Sequence, residues 1–142
     1  MKKQFHLLTL LLFEQGATAQ VPLAIEPIGP QITFKTMEHD YGTIPHGADG
    51  KCTFAYTNTG DRPLIISDCQ KSCGCTTPKC PQEPLLPGMS ASVRVEYDTQ
   101  RTGPFAKSVT INSNATNAPA VVLRIKGTVE PPPTAPAPAT EP

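Results

Sequence analysis

From Gln31 onward the chain is written in short runs of alternating apolar and polar residues, the two-residue period of a strand with one buried face. Ile32 and Phe34 face one way, Thr33 and Lys35 the other. Cys52, Phe54 and Tyr56 alternate with Thr53, Ala55 and Thr57, and Asn58-Thr59-Gly60-Asp61 supplies the turn that ends this run. Val93, Val95 and Tyr97 against Arg94, Glu96 and Asp98 predict another strand with one wet face. Phe105, Val109 and Ile111 share a face opposite Ser108, Thr110 and Asn112, and Val121, Leu123, Ile125 and Val129 stand against Arg124, Lys126 and Thr128. Pro63 to Ser67 is a nearly continuous apolar run, as expected of a central strand, and a short strand is expected near Tyr41 to Ile44.

Turn formers separate these runs. Pro87-Gly88 suits a type II turn, because proline presets the first central residue and glycine accepts the positive φ of the second. Thr102-Gly103-Pro104 and the stretch from Asn112 to Pro119 interrupt the later strands. No helical period of useful length appears beyond the N-terminal segment. About seven strands at this spacing predict an all-β fold, an antiparallel Ig-like β-sandwich rather than a barrel. An antibody-type domain is excluded: Cys52 has no cysteine counterpart between Phe105 and Asn112, and the chain has no tryptophan.

Both ends depart from this pattern. Lys2 and Lys3, an apolar stretch from Leu7 to Phe13 and the small-x-small Ala17-Thr18-Ala19 predict a signal peptide over residues 1–19, cleaved near Ala19, and hence a secreted or periplasmic protein. The stretch is far shorter than the ~20 residues that cross a bilayer, so no membrane insertion is expected. Residues 20–30 read as a linker and 31–129 as one domain. Residues 130–142 carry PPPTAPAPATEP after Glu130, with six of the seventeen prolines and no aliphatic larger than alanine, the composition of a disordered Pro/Ala-rich tail. Removing Lys2, Lys3 and Glu14 from twelve basic and twelve acidic residues leaves ten against eleven, a formal charge of −1 without any basic cluster. That balance excludes the electrostatic footprint of a nucleic-acid binder.

The chemistry-bearing residues are concentrated in SDCQKSCGCTTPKCP, from Ser67 to Pro81, which holds four of five cysteines. Cys69, Cys73, Cys75 and Cys80 are separated by three, one and four residues, so the cluster lacks the paired CxxC knuckles of structural zinc sites. Cys73-Gly74-Cys75 could present two sulfurs to a soft ion such as Cu(I), with His39 or His46 as a further ligand. In an exported protein, oxidation competes with metal binding, and four cysteines allow three pairings. Cys52 shares a face with Phe54 and Tyr56 and is expected to be a buried free thiol. Asp40, Asp68, Glu83 and Asp98 form no carboxylate pair, and neither a phosphate-cradling glycine loop nor a serine elbow is present.

The order of motifs resembles the bacterial family known as domain of unknown function 1573. The resemblance rests on His39-Asp40-Tyr41-Gly42-Thr43-Ile44, Phe54-Ala55-Tyr56-Thr57-Asn58-Thr59-Gly60, Pro63-Leu64-Ile65-Ile66, Ser72-Cys73-Gly74-Cys75-Thr76, Leu86-Pro87-Gly88, Gly103-Pro104-Phe105, Ser113-Asn114 and Lys126-Gly127-Thr128-Val129. It implies an exported Ig-like domain of Bacteroidetes-type envelopes and no particular reaction. Only Cys73 and Cys75 match motif positions. Cys69 and Cys80 look like a joint addition, as a bridge between them requires, and such a bridge would contribute about 3 kcal/mol.

These readings converge on an exported, non-enzymatic Ig-like module without a cofactor, having a structural or protein-recognition role in the cell envelope. Its expected partner is an unidentified envelope protein, bound by strand addition at an exposed sheet edge. The rival reading is a thiol-based copper or zinc binder, or a redox protein, acting through Cys73 and Cys75 with Cys69 and Cys80 as further metal ligands.

Overall fold

A computed structural model describes residues 16–23 and 28–135. The expected cleavage leader falls mostly on residues 1–15, which lie outside the described residues, as do 24–27 of the linker and 136–142 of the tail. Eight strands follow in chain order: β1 Ile32–Phe34, β2 Glu38–Ile44, β3 Lys51–Asn58, β4 Ile66–Lys71, β5 Thr76–Lys79, β6 Ser90–Tyr97, β7 Gly103–Ser113 and β8 Ala120–Val129. They form two four-stranded sheets, one ordered β1-β3-β6-β5 and the other β2-β8-β7-β4. No helix occurs among the described residues.

The alternation read from the sequence is the alternation that is buried. Phe54 and Tyr56 from β3 and Val93 and Val95 from β6 meet Val109 and Ile111 from β7 and Leu123 and Ile125 from β8, all of them buried in a single core. Tyr97 of the first sheet stacks on Phe105 of the second, with ring centroids 3.7 Å apart and planes 10° from parallel. This contact ties the sheets together near the corner that carries the cysteines.

Three features differ from expectation, each for a physical reason. The sandwich is not wholly antiparallel: β2 runs parallel to β8, with Glu38 opposite Arg124 and Asp40 opposite Lys126. Side-chain period specifies which face is buried and carries no information on the partner's direction. The apolar run from Pro63 to Ser67 is not a central strand. Leu64 makes an isolated bridge to Leu85, Ile65 is 40% exposed, and β4 begins only at Ile66 and lies at a sheet edge. Its apolar residues cover the open flank of the sandwich. Finally, β5 is an additional strand of four residues inside the cysteine segment, where the polar sequence TTPK shows no alternation to signal it.

The turns follow local chemistry. Gly88 has φ of +76°, and the Met89 N–H donates to the Leu86 carbonyl at 3.1 Å, closing the turn expected at Pro87-Gly88. Asn58 ends β3 fully buried, with all of its side-chain capacity used. Its Nδ2 donates to the carbonyls of Arg62 at 2.7 Å and Leu85 at 2.8 Å, while Oδ1 accepts from the N–H groups of Gly60 at 3.0 Å and Gln31 at 3.3 Å. One side chain thereby joins the start of β1, the turn after β3 and the approach to β6.

Candidate functional site

The cysteine segment is the corner where the chain leaves one sheet for the other. β4 is an edge of the second sheet, β5 an edge of the first, and four residues join them. Cys69 lies opposite the buried Ile111 of β7, so its side chain points into the sandwich. Cys80 follows Lys79, which is paired with Arg94, and the next ladder position opposite Val93 again faces inward. The sulfurs of Cys69 and Cys80 meet at bonding contact, with Cα atoms 6.6 Å apart. The antibody arrangement bridges two central strands; here the pair joins the rims of both sheets.

Cys73 and Cys75 form a second close pair inside this frame, their Cα atoms 5.4 Å apart. The corner is held by its backbone. Ser72 N–H donates to the Ser108 carbonyl at 3.0 Å, and Ser108 N–H donates back to Ser72 Oγ at 3.1 Å. Asp98 N–H donates to the Cys75 carbonyl at 2.8 Å. Cys75 is only 3% exposed and Thr76 is fully buried, whereas Cys73 is partly exposed. Cys75 N–H donates to Cys73 Sγ at 3.3 Å, and Thr76 Oγ1 lies 3.8 Å from one sulfur and 3.9 Å from the other.

The remaining candidates lie elsewhere. Cys52 is a free thiol buried in β3, and burial pushes its pKa up from 9.0 against the opposing influence of the neighbouring Tyr41 hydroxyl. Tyr41 is raised as well, first by burial and then by its contact with Cys52, and its hydroxyl donates to the Gly50 carbonyl at 2.6 Å. His39 packs edge-on against Tyr41, and His46 Nε2 lies 3.1 Å from the Gln100 carbonyl. Neither histidine joins the cysteines. Among the described residues, no three His, Cys, Asp or Glu side chains converge as ligands for an ion.

Sequence patterning gives Asn58 only a place in a turn and assigns no role to Thr76, Asp68 or Asn117, yet each positions part of the edges or the corner. Asn58 and Thr76 also stand inside the motif strings, which for Thr76 was the only signal. Asn117 lies in the loop after β7 and meets β1 across 85 residues of chain, a contact no local pattern encodes.

Together these observations define a two-sheet β-sandwich of the PapD-like and Ig-like kind, with a doubly cysteine-paired corner between its sheets. The chain belongs to the family of proteins of unknown function designated DUF1573, which it matches over residues 32–129. No curated protein matches it. Among solved structures it is similar to a protein of unknown function from Porphyromonas gingivalis, at 19% identity and a TM-score of 0.64 over 77% of this chain and 51% of that one. It is also similar to the VesB protease of Vibrio cholerae, at 19% identity and a TM-score of 0.58 over 69% of this chain and 32% of that one. A third similarity is to the ASH / PapD-like domain 7 of human CEP192, at 8% identity and a TM-score of 0.61 over 83% and 97%. The chain thus spans about half of the first of these proteins and about a third of the second. At these identities the shared property is the fold.

Proposed function

We propose that this chain is an exported recognition module of the cell envelope, which binds an extended segment of a partner protein along β2 and has no hydrolase or transferase activity. The observation that carries this reading is the unequal treatment of the four sheet edges. On β1, the Asn117 side chain accepts from Ile32 N–H at 3.0 Å and donates to the Ile32 carbonyl at 2.9 Å, occupying the place of a neighbouring strand. β5 is four residues long and contains Pro78, which has no N–H to offer. β4 has an irregular register between Ile66 and Asp68, its Cys69 N–H is taken by Asp68 Oδ1 at 2.8 Å, and it is tied to β5 through the Cys69 and Cys80 pair.

β2 is different. It is the longest edge strand, at seven residues. Arg124 N–H donates to the Met37 carbonyl and Glu130 N–H to the Ile44 carbonyl, so the alternation turns the main-chain groups of Glu38 and Asp40 outward. Among the described residues these outward groups have no partner. Edge strands of this kind are templates for strand addition, and main-chain bonds supply affinity there without a deep pocket. Exposed acidic side chains at Glu38 and Asp40 favour a partner segment carrying basic residues, although Glu38 already pairs with Lys126 at 2.7 Å. Export is supported by the leader pattern of residues 1–19 and by two close cysteine pairs, read as disulfides that rigidify the opposite rim.

Photo-cross-linking in the native host tests the proposal. A photoreactive residue at Asp40 is expected to capture one defined envelope protein, while the same residue at Thr33 on the covered β1 edge captures none. Equal yields from both edges, or none from β2, would refute it.

A further inference from the structure

The recognition role leaves the Ser72-Cys73-Gly74-Cys75-Thr76 corner unused, and its two sulfurs are not equivalent. Cys75 is closed off from solvent, whereas Cys73 is partly open. One donor is aimed at Cys73 Sγ alone, the Cys75 N–H at 3.3 Å, while the buried Thr76 hydroxyl stands between the two sulfurs, 3.8 Å from Cys73 and 3.9 Å from Cys75. Donors aimed at sulfur stabilise its thiolate, and an accessible sulfur that leaves readily marks the labile rather than the structural kind of disulfide. Ser72 and Lys107 line one shallow cleft with Arg124, Lys126 and Glu38; Glu38 pairs with Lys126, and the positive balance left by Lys107 and Arg124 favours the approach of an anionic thiolate.

We infer that Cys73 and Cys75 form a thiol–disulfide exchange site, in which Cys73 is the sulfur presented to a cysteine-containing polypeptide and Cys75 is the buried sulfur that leaves when Cys73 is attacked. The two pairs have different tasks. Opening Cys69 and Cys80 would release both sheet rims, whereas opening Cys73 and Cys75 frees a single-residue loop whose ends stay held by the backbone bonds to Ser108 and Asp98. The second pair can therefore cycle with both sheet rims still joined.

In the exchange, a thiolate of the partner attacks Cys73 Sγ and forms a mixed disulfide. The bond between Cys73 and Cys75 breaks, and its electron pair goes to Cys75 Sγ, which takes a proton from water. A second partner thiolate then attacks the partner's own sulfur in the mixed disulfide. The partner's disulfide forms, and the electron pair leaves on Cys73 Sγ, beside the Cys75 N–H and the Thr76 hydroxyl. A partner dithiol is thereby oxidised by two electrons and this chain's disulfide is reduced by two.

The test uses the full mature chain in glutathione buffers of graded ratio, quenched with an alkylating agent and mapped by peptide mass. The expected result is a range of ratios in which Cys73 and Cys75 are alkylated while Cys69 and Cys80 remain joined. Offered a single-cysteine peptide as its mixed disulfide with glutathione, Cys75→Ser is expected to form a peptide disulfide at Cys73, with glutathione as the leaving thiolate, at least ten-fold faster than Cys73→Ser forms one at Cys75. Thr76→Val should slow trapping in the Cys75→Ser background several-fold with no change in the melting point. Simultaneous opening of both pairs, no opening of the inner pair, or equal trapping by the two serine variants would overturn the inference. The wild-type titration needs no variant to fold. None of these outcomes bears on cross-linking through β2, so the two proposals fail separately.

Discussion

Replacing Cys69 and Cys80 together by alanine cuts the link between the two sheet rims. The pair closes a loop across a sequence separation of 11 residues. Restricting the unfolded chain by a loop of that size contributes about 3 kcal/mol. In a domain of roughly 100 residues each kcal/mol moves the melting midpoint by about 4–8 °C, so the double variant is expected to melt about 12–24 °C below the oxidised wild type. The inner pair spans a separation of only 2. The same relation gives that pair about half as much, and Cys73→Ala/Cys75→Ala is expected to lose only about 6–12 °C. Thermal unfolding of the three proteins, followed by far-ultraviolet circular dichroism under one oxidising buffer, measures both shifts. A Cys69→Ala/Cys80→Ala midpoint within about 3 °C of wild type, or a larger loss from the inner pair, would refute the division into outer brace and inner exchange site.

Three further outcomes follow from the core and its turns. Asn58→Ala strips four hydrogen-bond partners in a fully buried place, and the orphaned groups are expected to cost about 3–5 kcal/mol in urea unfolding, against under about 0.5 kcal/mol for Thr33→Ala on the surface. Gly60→Ala drives a Cβ into the Gly29 carbonyl oxygen, so the β3 turn must move; a loss of about 2–4 kcal/mol is expected, and a neutral result would disprove the close approach. Burial raises the pKa values of Cys52 from 9.0 and of Tyr56 and Tyr97 from 10.0. A group raised in the folded state keeps its full stabilising effect below its unfolded pKa and loses it as pH climbs towards the folded one. The melting midpoint should therefore decline from about pH 9 upward, with the earliest part of that decline absent in Cys52→Ala; a flat profile to pH 11 would contradict the buried thiol.

Much of the sandwich was legible because its signal is local. Each of β3, β6, β7 and β8 carries its own alternation, and the pattern places Phe54, Val95, Ile111 and Leu123 in the core before any partner is known. Pro87-Gly88 announced its turn for the same reason: two residues contain the whole stereochemical requirement. The segment around β4 and β5 was not legible. Ile66 looks central by hydrophobicity and sits at an edge, because a flank of a small sandwich must be covered by something apolar whether or not a further strand lies beyond it. The cysteines could be counted from the sequence. Spacing could not choose their partners, since pairing depends on which two strand edges fold back over the same rim; only the departure from the family pattern pointed to Cys69 with Cys80.

The sequence by itself determined an all-β chain, its buried faces, most of its turns and the residues with any capacity for sulfur chemistry, since all of these depend on neighbours within a few positions. Only the tertiary structure decided the rest. It set β2 parallel to β8, turned Asn117 onto β1 across 85 residues and closed the β4 and β5 rim, leaving one long edge without a partner. It also made Cys73 and Cys75 unequal, burying one sulfur and opening the other. Those outcomes depend on contacts between distant segments, and a period along the chain carries no record of what will stand beside it.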